Sequence, residues 1–127
     1  MEKLEDILRR NPTQDSVYLD YQHITNLEPF MPLLAQLTNL RQLFLYGNKL
    51  TTLPENMSEL TRLETIELLN NPITDIKALI PGLSSLKSLK HVTLPENFNS
   101  RDYEVVLAHL PQLNTLNGLG LCQILQY

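Results

Sequence analysis

The chain has 127 residues, 43% of them apolar, and a formal net charge of −4 at neutral pH. This length suits one domain with a buried core. The weak, scattered charge argues against a nucleic-acid groove, which needs clustered Lys and Arg. The sequence contains no run of about 18 apolar residues, which a membrane-spanning helix would need. The single cysteine, Cys122, excludes an internal disulfide, and the acidic start of the chain is unlike a secretion signal. We therefore expect one domain over residues 1–127 in an intracellular setting, cytoplasmic or nuclear.

The first twelve residues predict a helix that covers one end of the fold. In MEKLEDILRR, Leu4, Ile7 and Leu8 fall on one helical face and the charged residues fall elsewhere. Pro12 then ends the helix, because proline disfavours helical backbone in the residue before it. We expect residues 1–12 to form an amino-terminal cap.

A repeated unit occupies residues 16–99 and returns once more after them. Its copies LRQLFLYGNKLTTL, LETIELLNNPITDI, LKHVTLPEN and LNTLNG begin at Leu40, Leu63, Leu89 and Leu113, and a degenerate first copy, SVYLDYQHITNL, covers residues 16–27. The shared frame, L-x-x-L-x-L-x-x-N-x-L, resembles the leucine-rich repeat family over nearly the whole chain. The resemblance implies an α/β fold: a right-handed solenoid of about five coils, with a short curved parallel sheet and helical caps at both ends.

Three asparagines, Asn48, Asn71 and Asn97, fall at the same position of successive units. An amide side chain offers two donors and an acceptor to the backbone of a buried turn. In the family such asparagines form a ladder between coils, so the resemblance implies a structural role for all three. Gln22 replaces asparagine in the first unit, where we expect an imperfect ladder.

The segments that connect the strands vary, and the last of them follows a different pattern. Pro81 and Gly82 are expected to break any helix before the fourth strand. Ser100 is predicted to cap a helix whose buried face includes Tyr103 and Val106. This helix, followed by LPQLNTLNG, resembles the carboxy-terminal cap of an intracellular branch of the family. That branch includes a spliceosomal snRNP subunit, acidic nuclear phosphoproteins, tubulin-folding cofactors and an axonemal dynein light chain. We assign residues 100–118 to this cap and residues 119–127 to an apolar tail. Three interpretations of this tail are open: it folds back onto the last coil, it continues into a longer chain, or it binds a partner.

The strand residues that alternate with the leucines predict a binding surface. Successive strand residues point to opposite faces, so Phe44 and Tyr46 are expected on the concave face, opposite the core. Strands are about 4.8 Å apart, so aromatic residues of neighbouring strands could form one patch. Exposed apolar patches tend to mark interaction sites, and Tyr is enriched in binding hot spots. The alternative is that the rings only stack on each other. The predicted partner-binding residues are Tyr18, Asp20, Tyr21, Phe44, Tyr46, Glu67 and Leu69.

Two of these residues, Asp20 and Glu67, are acidic and flank the predicted patch. They would suit a partner that carries Lys or Arg. The same charges argue against direct contact with nucleic acid.

Patterns that support catalysis are missing from the sequence. His23, His91 and His109 fall in separate coils, without cysteine or paired carboxylates at ligand spacing. The four glycines form no phosphate-binding loop. We therefore predict a non-catalytic protein-binding module with no cofactor and no metal, which is a monomer unless the tail mediates association. Two alternatives remain: a structural subunit docked through its tail or convex side, and a ribonucleoprotein component.

Overall fold

The computed structural model describes Asp6, residues 15–117 and residues 119–120. The predicted amino-terminal cap therefore lies outside the described residues, except for Asp6, which is helical. The predicted tail lies outside them beyond residue 120.

One sheet of short strands runs through the described chain. The strands are β1 (Ser16–Tyr18), β2 (Gln42–Phe44), β3 (Thr65–Glu67), β4 (His91–Thr93), β5 (Thr115–Leu116) and β6 (Leu119–Gly120). β1 to β5 pair in sequence order and are parallel. The fold is therefore an α/β solenoid of five coils, as predicted. The repeat frame did not predict β6, which pairs with β5 in antiparallel orientation.

The core follows from the alternation of residues along each strand. The register places Val17 beside Leu43, Leu43 beside Ile66, and Ile66 beside Val92. All four are buried, as are the leucines that follow each strand and most of those of the connecting segments. Because each coil is too thin to enclose its own apolar side chains, each coil is buried by its neighbours.

The connecting segments carry the helices. These are two 3₁₀ helices, Glu28–Phe30 and Ile76–Ala78, and the α-helices α1 (Met31–Ala35), α2 (Ile80–Ser85) and α3 (Ser100–His109). No helix among the described residues is long and apolar enough to cross a membrane.

The prediction that Pro81 and Gly82 break a helix was wrong, because both lie inside α2. Pro81 occupies the first turn, where a backbone N–H has no partner within the helix. Gly82 is buried against the backbone carbonyl of Pro54, at a place where a Cβ atom would collide with that carbonyl. The two residues therefore let α2 pack closely against the preceding connection.

The cap of α3 is Asn99 and not the predicted Ser100. Asn99 Oδ1 accepts hydrogen bonds from the backbone N–H groups of Arg101 (3.0 Å) and Asp102 (3.1 Å). Asp102 Oδ2 in turn accepts the backbone N–H of Asn99 at 3.0 Å. This reciprocal capping box satisfies donors at the helix start. Val106 is buried on the inner face of α3.

Asn48 and Asn71 are buried, with only 5% and 6% of their surface exposed, and they join successive coils. Asn48 Nδ2 donates to the carbonyls of Leu19 (2.9 Å) and Leu45 (3.0 Å), and its Oδ1 accepts two N–H groups of the first coil. Asn71 Nδ2 donates to the carbonyls of Leu45 (2.9 Å) and Leu68 (2.9 Å), and its Oδ1 accepts the N–H of Leu50 at 3.1 Å. Each amide therefore satisfies buried backbone groups of two coils at once.

Asn97 departs from the predicted ladder. Its side chain is exposed and donates one hydrogen bond, from Nδ2 to the carbonyl of Ile73 at 2.9 Å. The turns of the first three coils place Tyr21, Gly47 and Asn70 at positive φ, whereas Glu96, at the same place in the fourth coil, does not adopt positive φ. Pro95 restricts the backbone just before Glu96, so this turn takes another path.

Asn117, which aligns with Thr93 and not with the ladder asparagines, makes a different amide link between the fourth and fifth coils, which the repeat frame did not predict. Its Oδ1 accepts the N–H of Leu94 at 2.7 Å, and its Nδ2 donates to the carbonyl of Leu94 at 3.2 Å.

The two equivalent asparagines should differ in their effect on stability. We expect Asn71→Ala to lower the free energy of unfolding by about 2–3 kcal/mol, because it leaves buried N–H and carbonyl groups without partners. Asn97→Ala should cost only about 0.5–1 kcal/mol, because it removes a single hydrogen bond of an exposed side chain. Urea unfolding followed by circular dichroism measures both values. Equal losses would contradict the different roles of the two amides.

Candidate functional site

The concave face is the sheet face turned away from the core, and it consists of three rows of side chains that cross the strands. The first row is Ser16, Gln42, Thr65 and His91; the second is Tyr18, Phe44, Glu67 and Thr93. The third row, one alternation further, is Asp20, Tyr46, Leu69 and Pro95. The parallel register aligns equivalent residues of each coil, so a residue type that recurs in adjacent coils becomes a surface.

The first row is polar, and hydrogen bonds hold the side chains at both of its ends. Ser16 Oγ donates to Gln42 Oε1 at 2.8 Å. At the other end of the row, His91 Nδ1 lies 2.8 Å from Thr115 Oγ1. This row therefore forms a polar border on one side of the concave face.

The aromatic patch is defined as Tyr18, Tyr21, Phe44 and Tyr46; three of these rings lie in the next two rows, and Tyr21 lies in the turn just beyond Asp20. Tyr18 and Phe44 stack with ring centroids 4.7 Å apart and planes 6° apart. Tyr21 and Tyr46 meet edge to face, with centroids 5.3 Å apart and planes at 77°. Tyr18 nevertheless keeps 64% of its surface exposed and Tyr21 keeps 60%. The rings therefore pack in pairs and also present their outer faces to solvent.

Gly47 makes room for the ring of Tyr21. A Cβ atom on Gly47 would lie 2.5 Å from Tyr21 Cε1, and the φ of Gly47 is +71°. Tyr21 itself has a φ of 56°, a left-handed conformation that costs an ordinary residue roughly 1–2 kcal/mol. Its backbone N–H donates to the carbonyl of Tyr46 at 2.9 Å, which helps to hold this conformation. A hydrogen bond with Tyr46, followed by desolvation, raises the pKa of Tyr21.

The two acidic residues of the predicted site have different surroundings. Asp20 Oδ1 accepts the backbone N–H of Tyr46 at 2.9 Å, so this carboxylate also holds the second coil in place. Among the described residues, no hydrogen bond or ion pair reaches the carboxylate of Glu67, which is half-buried beside Phe44. Desolvation, and secondly the negative charge of Asp20, raise the pKa of Glu67.

A groove of about 380 Å³ continues the patch at the ends of the strands. We call it the edge groove; its lining residues are Tyr46, Leu69, Asn70, Asn71, Pro95, Glu96 and Asn97. The outward turn at Glu96 and Asn97 forms its far wall. A second groove, of about 570 Å³, lies between the connecting segments that contain Met31 and Pro54.

The structure brings all seven predicted residues to one region, but it adds features that the sequence analysis missed. The hydrogen bond from the backbone N–H of Tyr46 to Asp20 leaves no signal in the sequence. Gly47, just after the aromatic residues of β2, could have indicated that a ring packs against this position. The edge groove depends on the departure of Asn97 from the ladder. The sequence did carry a signal for this departure. Glu96 stands where the second and third coils have Gly47 and Asn70, and Pro95 precedes it.

The described residues contain no group of three or more His, Cys, Asp or Glu side chains that could hold a metal ion. His109 Nδ1 lies 2.9 Å from the carbonyl of Val105 on its own helix, far along the chain from His91.

Comparisons with known proteins agree with this architecture. Residues 38–81 match the family model described as leucine rich repeats, two copies. A chain from the crystal structure of the Drosophila melanogaster SNF/U2A' complex is similar with a TM-score of 0.70 and 20% identity, over 95% of this chain and 67% of that chain. A chain from the structure of the Chaetomium Mex67:Mtr2 subunits is similar with a TM-score of 0.47 and 19% identity, over 99% and 68% respectively. No match was found among the curated proteins. At 20% identity, the similarity to the first of these structures shows the fold alone.

The contact between Gly47 and Tyr21 can be tested by coupling two substitutions. We expect Gly47→Ala to lower the free energy of unfolding by about 2 kcal/mol, because alanine disfavours positive φ and its methyl group displaces the tyrosine ring. In a Tyr21→Asn background the loss should fall to about 1 kcal/mol, since asparagine tolerates positive φ and leaves space for the methyl group. Urea unfolding of the four proteins gives the coupling energy. Additive effects would show that the ring does not depend on Gly47.

The raised pKa of Glu67 has a consequence for stability. A carboxyl group whose pKa rises on folding favours the folded state below its unfolded pKa, and this contribution is lost as the pH rises through the folded pKa. At neutral pH, Glu67→Gln should therefore raise the free energy of unfolding by a few tenths of a kcal/mol, because solvent screens much of the effect. At about pH 3, where a glutamate is neutral, the two proteins should agree. Urea unfolding at both pH values measures this, with the exposed Glu59→Gln as control. A loss of stability at neutral pH would contradict the prediction.

Proposed function

We propose that the chain, whose residues 38–81 match the leucine-rich-repeat family model, acts as a non-catalytic module that binds a protein segment on its concave face through the aromatic patch. The observation that carries the proposal is the position of its exposed rings. Among the described residues, the large apolar side chains that are exposed are Tyr18 and Tyr21, and both belong to this patch. Isolated exposed apolar residues are common, but a contiguous group tends to mark an interaction surface.

The paired packing of the rings favours binding and does not argue against it. Tyr18 is held flat against Phe44, and Tyr21 is held at its edge by Tyr46. A surface whose side chains are already ordered loses little conformational entropy when a partner arrives. Tyrosine also offers a large apolar area together with a hydroxyl group, which explains its enrichment in hot spots.

A protein partner fits this face better than nucleic acid does. Glu67 lies in the second row and Asp20 in the third, whereas none of the twelve positions in the first four strands' rows is Lys or Arg. Phosphate groups would be repelled there. The setting that we propose is intracellular, either cytoplasmic or nuclear; the chain of similar fold comes from the SNF/U2A' complex.

The proposal is tested by capturing partners from a cell lysate with the folded protein and with Tyr18→Ser/Tyr21→Asn. These two residues are the most exposed of the patch, so their replacement should preserve the fold, and asparagine tolerates the backbone at position 21. We expect recovery of the partner to fall by about tenfold or more, as for a hot-spot residue. Quantitative mass spectrometry measures recovery, and circular dichroism checks folding.

A matched control is Gln36→Ser/Glu59→Asn, which changes two exposed side chains of the connecting segments. It should capture the same partners as the unmodified chain. Equal recovery by the tyrosine variant would disprove binding through the patch. If removal of residues 121–127 then abolished recovery, the alternative of a subunit docked through its tail would be favoured.

A further inference from the structure

We propose that the partner segment is basic, with a Lys or Arg side chain that pairs with Glu67 while neighbouring apolar side chains cover the aromatic patch. This inference rests on the proposed binding to the concave face and adds the chemistry of the partner.

Of the two acids on the concave face, Asp20 and Glu67, it is Glu67 that has no hydrogen-bond or ion-pair partner among the described residues. It is half-buried between Phe44 and Thr93 in the second row, and no donor or cation among the described residues reaches its carboxylate. Asp20, in contrast, already accepts the N–H of Tyr46. A partly desolvated carboxylate without a donor is unfavourable. A cation brought by a partner would remove this cost, and a guanidinium group could also lie against the ring of Phe44.

The edge groove extends the same negative surface. It begins at Tyr46 and Leu69, where the patch ends, and its far wall carries the exposed Glu96. Asn97 is exposed there as well, and within the described residues no hydrogen bond reaches its Oδ1. The basic residues nearest to the strands, Arg41 and Lys90, directly precede β2 and β4 and so lie at the opposite ends of the strands. The acids Glu67 and Glu96 therefore accompany the apolar part of the face, whereas Arg41 and Lys90 lie at the other ends of the strands.

These charges select among possible occupants. A second copy of this chain would bring the same acids and a net charge of −4, and like charges across an interface are unfavourable. A basic segment is complementary. Four strands at about 4.8 Å spacing make a face roughly 14 Å wide, which about five extended residues or ten helical residues would cross. A peptide of about 12 residues is therefore long enough to test the proposal.

The test uses a phage library of random peptides of about this length, selected on the folded protein and counter-selected on Tyr18→Ser/Tyr21→Asn. We expect the surviving peptides to be enriched in Lys or Arg beside apolar residues. The strongest of them is then synthesised, and its affinity is measured by fluorescence anisotropy. Glu67→Gln should weaken its binding by about tenfold, the effect of losing one charge-assisted pair. Glu59→Gln is the matched control and should leave the affinity unchanged.

Charge exchange supplies an independent check. If the basic residue of the peptide is replaced by Glu, binding to the unmodified chain should be lost and Glu67→Lys should restore it. Lowering the pH through the pKa of Glu67 should weaken binding of the basic peptide to the unmodified chain. The same change of pH should weaken its binding to Glu67→Gln less.

The outcomes separate this inference from the proposed function. Peptides that depend on the two tyrosines, yet show no basic enrichment and bind Glu67→Gln equally well, would overturn the inference and leave binding to the patch intact. Failure to select any peptide that depends on the tyrosines would count against both.

Discussion

The parallel, in-register stacking of coils is the constraint on which the rest of the structure depends. Each strand is only two or three residues long, so neither the strand nor its coil is stable alone. Stacking buries one alternate set of side chains, from Val17 to Leu116, in a continuous core. The same register necessarily aligns the other set on the opposite face. An aromatic residue that recurs at the same position of two adjacent coils is thereby brought next to its counterpart, and the two form one surface.

This constraint explains what could be predicted from the sequence. The spacing of the leucines predicts the coils, the strands and the face on which each strand residue lies, because these depend on alternation and repetition alone. The backbone path of an individual turn depends on one or two residues, so the repeat frame does not predict it. Asn97 keeps the frame position but leaves the ladder after Pro95. The prediction of Ser100 as a cap missed the reciprocal bonds between Asn99 and Asp102, although the N-x-x-D spacing was visible.

Features that oppose stability are concentrated on the concave face. Tyr21 holds a left-handed backbone, Glu67 has a carboxylate that is partly desolvated, and two tyrosine rings remain largely exposed. The buried side of the coils, by comparison, has its polar groups satisfied by Asn48 and Asn71. Strained or poorly satisfied groups persist when the surroundings hold them firmly, and they are common at functional sites. The rigid stack of coils supplies that support here.

The ring of Tyr21 lies against Gly47, so the residue types that the first two coils can carry at positions 21 and 47 depend on each other. A larger residue at position 47 requires a smaller one at position 21, so the two positions cannot drift independently while the patch is kept. A single coil transplanted from another protein of the same frame would restore the core and yet misplace this ring. The exchangeable unit for this surface is therefore the pair of coils, from β1 to the turn after β2, and not the single repeat that the sequence displays.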